Sequence, residues 1–284
     1  MGDGLTKFLL GLAAGVGIAV LAYRARSLDR RGALAAAVLG TVVFGLGGLG
    51  WAVVLLTFFI SASALSKVFK TRKDVVGQDF AKGSRRDAGQ VSANGGVGGS
   101  LALSFFVLAW ITPESRFLPA LWLGFCASFA AANADTWATE LGVLNPRRPV
   151  LISTFRRVPQ GTSGGVSLAG TLAALAGAGL VGLAAVLSVA AGWAPMGGMP
   201  LWAQFLVITG AGLLGSFVDS YLGATVQAVY DCPACEKETE RHPLHVCGME
   251  TVLKRGLPWL NNDWVNTACT LSAGLLGMLL GGLF

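Results

Sequence analysis

The chain has 284 residues, 54% of them hydrophobic and only 13% charged, whereas soluble domains are roughly a quarter charged. Its apolar residues fall in long runs, which excludes a large soluble domain and predicts one integral membrane domain over residues 1–284. The net charge of +6 comes mostly from basic residues gathered in alternate connections and gives little reason to propose nucleic-acid binding.

Runs of spanning length occupy residues 5–23, 33–49, 51–66, 97–111, 117–133, 166–191, 201–222 and 264–284. They predict an all-α, polytopic transmembrane helical bundle of about eight helices, or seven if one pair merges. The first run lacks a basic n-region beyond Lys7 and a small-x-small cleavage site, so it is read as a retained helix. Residues 33–66 are the ambiguous stretch: Gly45, Gly47, Gly48 and Gly50 mark either a tight hairpin between two spans or packing within re-entrant segments. Forty glycines suit close helix approach in lipid.

Basic residues alternate between connections. Of the 21 Lys and Arg, 19 lie in four of them: 24–31, 67–86, 147–157 and 237–255. Only Lys7 and Arg116 fall on the other side. The positive-inside bias then places these four connections in the cytoplasm of a bacterial or organellar inner membrane, with both termini outside and anionic membrane lipid as a secondary contact. The active site is expected on the same side.

The string NADTWATEL, starting at Asn133, separates on a helical wheel. With Asn133 at 0°, Asp135 falls near 200°, Thr139 near 240°, Thr136 near 300° and Glu140 near 340°, by roughly 100° per residue. In SFVDSYLGATVQ, starting at Ser216, Ser216, Asp219, Ser220, Gly223 and Gln227 share an arc of about 100° on the same construction. Asp135 and Asp219 are each 18 residues beyond the start of an apolar run, at Phe117 and Leu201, on helices of one direction, so one depth is expected for both. Acids at membrane depth are costly and usually meet a cavity, a counter-charge or an ion. Carboxylate and hydroxyl oxygens suit Mg²⁺. A plain interhelical hydrogen bond is the alternative for each acid.

The connection 67–96 is read as a basic, phosphate-binding loop. Lys82, Ser84, Arg85, Arg86, Gln90 and Asn94 lie among glycines before a helix, and Arg forks and helix N-termini match phosphate oxygens. A second Gly-rich loop, 142–165, carries Gly161, Thr162, Ser163, Gly164 and Gly165 behind Arg156 and Arg157. Neither contains a Gly-Lys-Ser/Thr triplet, so neither is a Walker A loop. Asn262 and Asn266 share a helix face, although an N-cap at Asn262 or Asp263 would explain part of that cluster. The cytoplasmic loop 228–263 holds Cys232, Cys235, His242, His245 and Cys247. Cys232, Cys235, Cys247 and one His, preferably His245, form a zinc-knuckle pattern for structural Zn²⁺. Free thiols in a reducing cytoplasm are the alternative.

The strings GSRRDAGQVSANGG, ADTWATELG, GTSGGVS, GSFVDSYLGATVQ and NNDWVN occur in that order. Together they resemble the transmembrane protein 19 family, also called domain-of-unknown-function family ninety-two, which includes a chloroplast phytyl-phosphate kinase. The resemblance implies a membrane kinase that converts phytyl monophosphate or another prenyl monophosphate to the diphosphate with a nucleoside triphosphate, CTP favoured. The positions it carries over are Arg85, Arg86, Gln90, Asn94, Asp135, Glu140, Gly161, Thr162, Gly164, Asp219, Gln227, Asn262 and Asn266.

On this reading Asp135, Asp219 and Glu140 serve Mg²⁺ and catalysis, while Arg85 and Arg86 neutralise phosphate. Asn133, Thr136, Thr139, Ser216, Ser220 and the loop residues line the substrate and nucleotide site. A lipid-phosphate cytidylyltransferase, a secondary transporter and a scaffold are the competing readings. The sequence leaves a homodimer open.

Overall fold

A computed structural model describes residues 2–68 and 85–283, side chains at 2–4 and 7 excepted. Among the described residues eight α-helices form the bundle: α1 (Gly2–Arg24), α2 (Arg30–Val42), α3 (Leu49–Val68), α4 (Ala88–Ile111), α5 (Leu118–Gly142), α6 (Leu168–Ala190), α7 (Leu201–Thr225) and α8 (Asn262–Gly281). The protein is therefore an all-α polytopic membrane bundle. Among the described residues six stretches are long and apolar enough to cross a membrane, the first being α2 with its extension, Arg30–Gly47.

The ambiguous stretch at 33–66 resolves into two helices. Beyond Val42 the backbone widens into a π-helical turn, Val43–Gly47, and breaks at Gly48. Gly48 has a φ of +95°, a left-handed conformation that glycine adopts without steric cost.

Helix α4 begins nine residues ahead of its apolar run. Asp87 caps it: the Asp87 carboxylate accepts from the Gln90 N–H, and the Gln90 side chain accepts from the Asp87 N–H, a reciprocal capping box. Residues 88–96 are thus helix, which corrects the loop expected over 67–96. Lys82 and Ser84 lie outside the described residues.

Helix α5 is not among the stretches apolar enough to span, yet it is the centre of the bundle. It packs against α3, α4, α6, α7 and α8, and every residue from 120 to 134 is buried. A helix enclosed by protein does not need a lipid-compatible surface, so small residues and polar groups are tolerated along it. Gly212 and Gly215 of α7 lie against Ala130 and Ala131 of α5, while Gly124 of α5 meets Gly274 of α8, and Gly277 of α8 meets Ala127. Away from the polar end, Trp51, Phe105, Trp122, Phe125 and Phe129 pack together, mostly tilted or edge to face, with ring centroids 4.4–5.9 Å apart.

Two small β-units cap one end. β1 (Val150–Leu151) and β2 (Gly165–Val166) form an antiparallel pair inside the Gly-rich loop. β3 (Val229–Cys232), β4 (Lys237–Thr239) and β5 (Val252–Arg255) form a sheet in the order β4-β3-β5. The described parts of the basic connections meet at this end. Arg86 is held to the α1–α2 turn by N–H to Ser27 O and by its own carbonyl accepting from Asp29 N–H, both 3.0 Å.

Candidate active site

At that end lies a cavity of about 520 Å³, within the range of small-molecule sites. Its walls come from the ends of α3, α5 and α7, the starts of α4, α6 and α8, the β1–β2 loop and the β4–β5 segment. Asp135, Thr136, Thr139 and Glu140 line one side, and Ser216, Asp219 and Ser220 another.

The depth of the two aspartates follows from helix packing. Gly215 contacts Ala131, and each residue precedes its Asp by four positions, one helical turn. A Cβ at Gly215 would come within 2.7 Å of Ala131 Cβ and 2.9 Å of Cys269 O, so only glycine permits this approach. The carboxyl groups of Asp135 and Asp219 lie close enough for their charges to act on each other, and Glu240 adds a third negative charge. Oδ2 of Asp219 is buried with no hydrogen-bond partner among the described residues. A buried, unpartnered carboxylate oxygen among hydroxyls is a hard-oxygen donor set that fits a divalent cation.

Arg86 supplies positive charge. It lines the cavity, its guanidinium lies 5.5 and 5.8 Å from the Phe58 and Phe59 ring centres, and Nη1 donates to Ser63 Oγ at 3.4 Å. Burial pushes it down to about 10, against the pull of Glu140, so it stays a cation at neutral pH. Glu140 is buried and accepts from Ser66 Oγ at 2.7 Å. Arg85 is exposed, acts on Tyr23 at the end of α1 and does not line the cavity.

Gln90 and Asn94 stand one turn apart on α4 and both line the cavity. The Gln90 amide oxygen serves the cap, which leaves its NH₂ to offer a ligand. Gly161, Thr162, Ser163, Gly164 and Gly165 form the facing loop, with Asn262 and Asn266 beside them. Gly164 has a φ of +82°, and a Cβ there would meet Ala224 Cβ at 2.5 Å. Asn261, not Asn262 or Asp263, caps α8: its side chain accepts from the N–H of Asp263 and of Trp264.

Two expected ligand residues are placed elsewhere. Asn133 is fully buried, donating to Gly177 O at 2.8 Å and accepting from Ser61 Oγ at 2.9 Å, so it joins α3, α5 and α6. Gln227 is also buried: it accepts from Ser163 Oγ at 3.1 Å and donates to Glu240 Oε1 at 2.8 Å, tying the glycine loop to the β-sheet segment. Ser66, Gln160, Glu240 and Arg241 line the cavity as well, although no sequence pattern singled them out.

A second chamber of about 310 Å³ lies among α1, α2, α3 and α4, lined by residues such as Ile18, Leu39, Ala52 and Leu56. It shares Arg86, Gln90 and Asn94 with the polar cavity.

Over the sheet, the Sγ atoms of Cys232, Cys235 and Cys247 and one ring nitrogen of His245 all lie within 4.8 Å of one another. The His245 ring holds the Cys247 thiol down to about 6, and sharing with Cys247 raises Cys235 to about 11. His242 stands apart, stacked on Tyr230 with centroids 4.4 Å apart.

A helical bundle with an acid- and arginine-lined cavity at one end, which shares Arg86, Gln90 and Asn94 with an apolar chamber, defines a polytopic membrane protein. The chain belongs to the integral membrane protein DUF92 family, whose model matches residues 13–274. It is 38% identical over 269 residues to Protein PGR of Arabidopsis thaliana, covering 91% of each chain. To an uncharacterized membrane protein of Methanocaldococcus jannaschii it is 28% identical over 267 residues, covering 93% of this chain and 90% of that protein. To chloroplastic Protein VTE6 of Arabidopsis thaliana it is 28% identical over 240 residues, 84% of this chain and 61% of that protein. No solved structure matches.

Proposed function

We propose that the protein is a membrane-embedded prenyl-monophosphate kinase, transferring the γ-phosphoryl group of a nucleoside triphosphate, CTP favoured, to phytyl monophosphate or a related isoprenoid monophosphate. The observation that carries this reading is the pair of chambers that share Arg86, Gln90 and Asn94 in their walls. A phosphate at that junction has a guanidinium and amide donors around it, while an apolar tail extends among α1–α4. The resemblance of the motifs to a family that includes a phytyl-phosphate kinase agrees with it.

In the reaction an oxygen of the acceptor monophosphate attacks the γ-phosphorus, and the β–γ bridging oxygen departs with the nucleoside diphosphate. The acceptor is already an anion at neutral pH, so positioning and charge neutralisation are the protein's main tasks. Arg86 holds phosphate oxygens through its fork, and Glu140 balances and orients that guanidinium. The loop at Gly161–Gly164 offers backbone N–H groups to the nucleotide phosphates. Asp135 and Asp219 would hold Mg²⁺, which when bound neutralises charge on the triphosphate. The basic residues at this end support a cytoplasmic position for it.

A panel of acceptors tests the reading in purified protein. Prenyl monophosphates are expected to be phosphorylated and the corresponding alcohols to be inert. Phosphorylation of the alcohols but not the monophosphates would overturn it.

A further inference from the structure

We propose that Cys232, Cys235, His245 and Cys247 bind one structural Zn²⁺, and that this ion holds the segment bearing Glu240 and Arg241 against the cavity. The four residues come from two tight turns. Cys232 ends β3, and the turn to β4 is closed by Glu236 N–H to Cys232 O at 2.9 Å. His245 and Cys247 occupy a second turn, closed by Gly248 N–H to His245 O at 2.9 Å, with Gly248 at a φ of +84°. Two turns that each present two ligands are the arrangement of a closed structural zinc site, which keeps no open position for substrate.

The spacing fits the ion. Cys232 Sγ is 3.5 Å from Cys247 Sγ, and His245 Nδ1 is 3.2 Å from Cys247 Sγ. A tetrahedron with Zn–S bonds near 2.3 Å has edges of about 3.8 Å. Cys232 is fully buried and His245 nearly so, so the cluster is enclosed on the side facing the bundle.

The link to the cavity is topological. Glu240 and Arg241 line the cavity and lie between the first ligand pair and the second. Glu240 accepts from Gln227, which accepts from Ser163 of the glycine loop. A metal that pins both ends of the segment therefore fixes one wall of the cavity without touching a reactant.

The test uses full-length protein purified in detergent from zinc-replete cells. One zinc per chain is expected by elemental analysis, and replacement by Co²⁺ is expected to give the thiolate charge-transfer band of a tetrahedral site. Cys235→Ser should lose most of the metal, whereas Cys126→Ala, buried in the bundle core, should keep it. Hydrogen exchange read on residues 237–255 gives a second measurement: removing zinc from the wild-type protein with a chelator should raise exchange there and leave α5 unchanged. Zinc-free protein that shows no cobalt band on reconstitution would overturn the site. Unchanged exchange after complete zinc removal would overturn its hold on the cavity wall.

Discussion

Asp135 and Asp219 stand at one depth in the cavity because each lies one helical turn beyond the contact of Ala131 with Gly215. The contact sets the register of α5 against α7, and the two charges it brings together repel each other until a cation or protonation intervenes.

Asp219→Asn and Asp135→Asn separate function from folding. Each should lower phosphoryl transfer by about 10³-fold or more, in line with the loss of a positioned charge in an active site. Asp219→Asn also relieves the repulsion from Asp135 and Glu240. Its Tm in detergent is therefore expected to equal or exceed that of the wild type. A fall in Tm alongside lost activity would assign Asp219 a structural role.

Gly215→Val tests the register. The added methyls meet Ala131, Cys269 and Ala273, none of which can rotate away, and overpacking of this kind costs about 1–3 kcal/mol. Both Tm and turnover should fall. Gly210→Ala, with open space around its Cβ position, should leave both unchanged.

Arg86 and Glu140 should be coupled. Glu140→Gln leaves the guanidinium without its counter-charge and is expected to lower turnover about 10-fold and to destabilise by roughly 1–3 kcal/mol. Arg86→Lys keeps the charge but not the fork, and should lower turnover more than tenfold. A double-mutant cycle read on turnover and Tm checks the pair, with non-additivity above about 0.5 kcal/mol expected.

Ala52 lines the apolar chamber, and Ala52→Phe fills part of it. Prenyl monophosphates with long tails should lose kcat/KM by at least about tenfold, the worth of one or two buried methylenes, while short-tail acceptors keep theirs. Equal loss for both lengths would remove the tail from this chamber.

Much of this site was legible in the sequence because helical periodicity reports angle. The wheel placed Asp135, Thr136, Thr139 and Glu140 on one arc, and all four line the cavity. Angle does not report depth or neighbours, so Asn133 entered the same face although it bonds α6 and α3 below the cavity. Apolar runs locate spans but not helix ends, which is why the polar start of α4 passed for loop. Its signal was the pair Asp87 and Gln90, three residues apart, a capping box. Glu240 and Arg241 carry no periodic pattern, and only the folding of the β4–β5 segment over the cavity reveals them.

Incubation of purified protein with Mg²⁺, geranylgeranyl monophosphate and CTP labelled at the γ-phosphate distinguishes a kinase from a cytidylyltransferase in one experiment. A kinase places the label in lipid diphosphate, with CDP as the other product, and Asp219→Asn abolishes the transfer. Label released as pyrophosphate with formation of a CDP-lipid would contradict the kinase and establish a cytidylyltransferase.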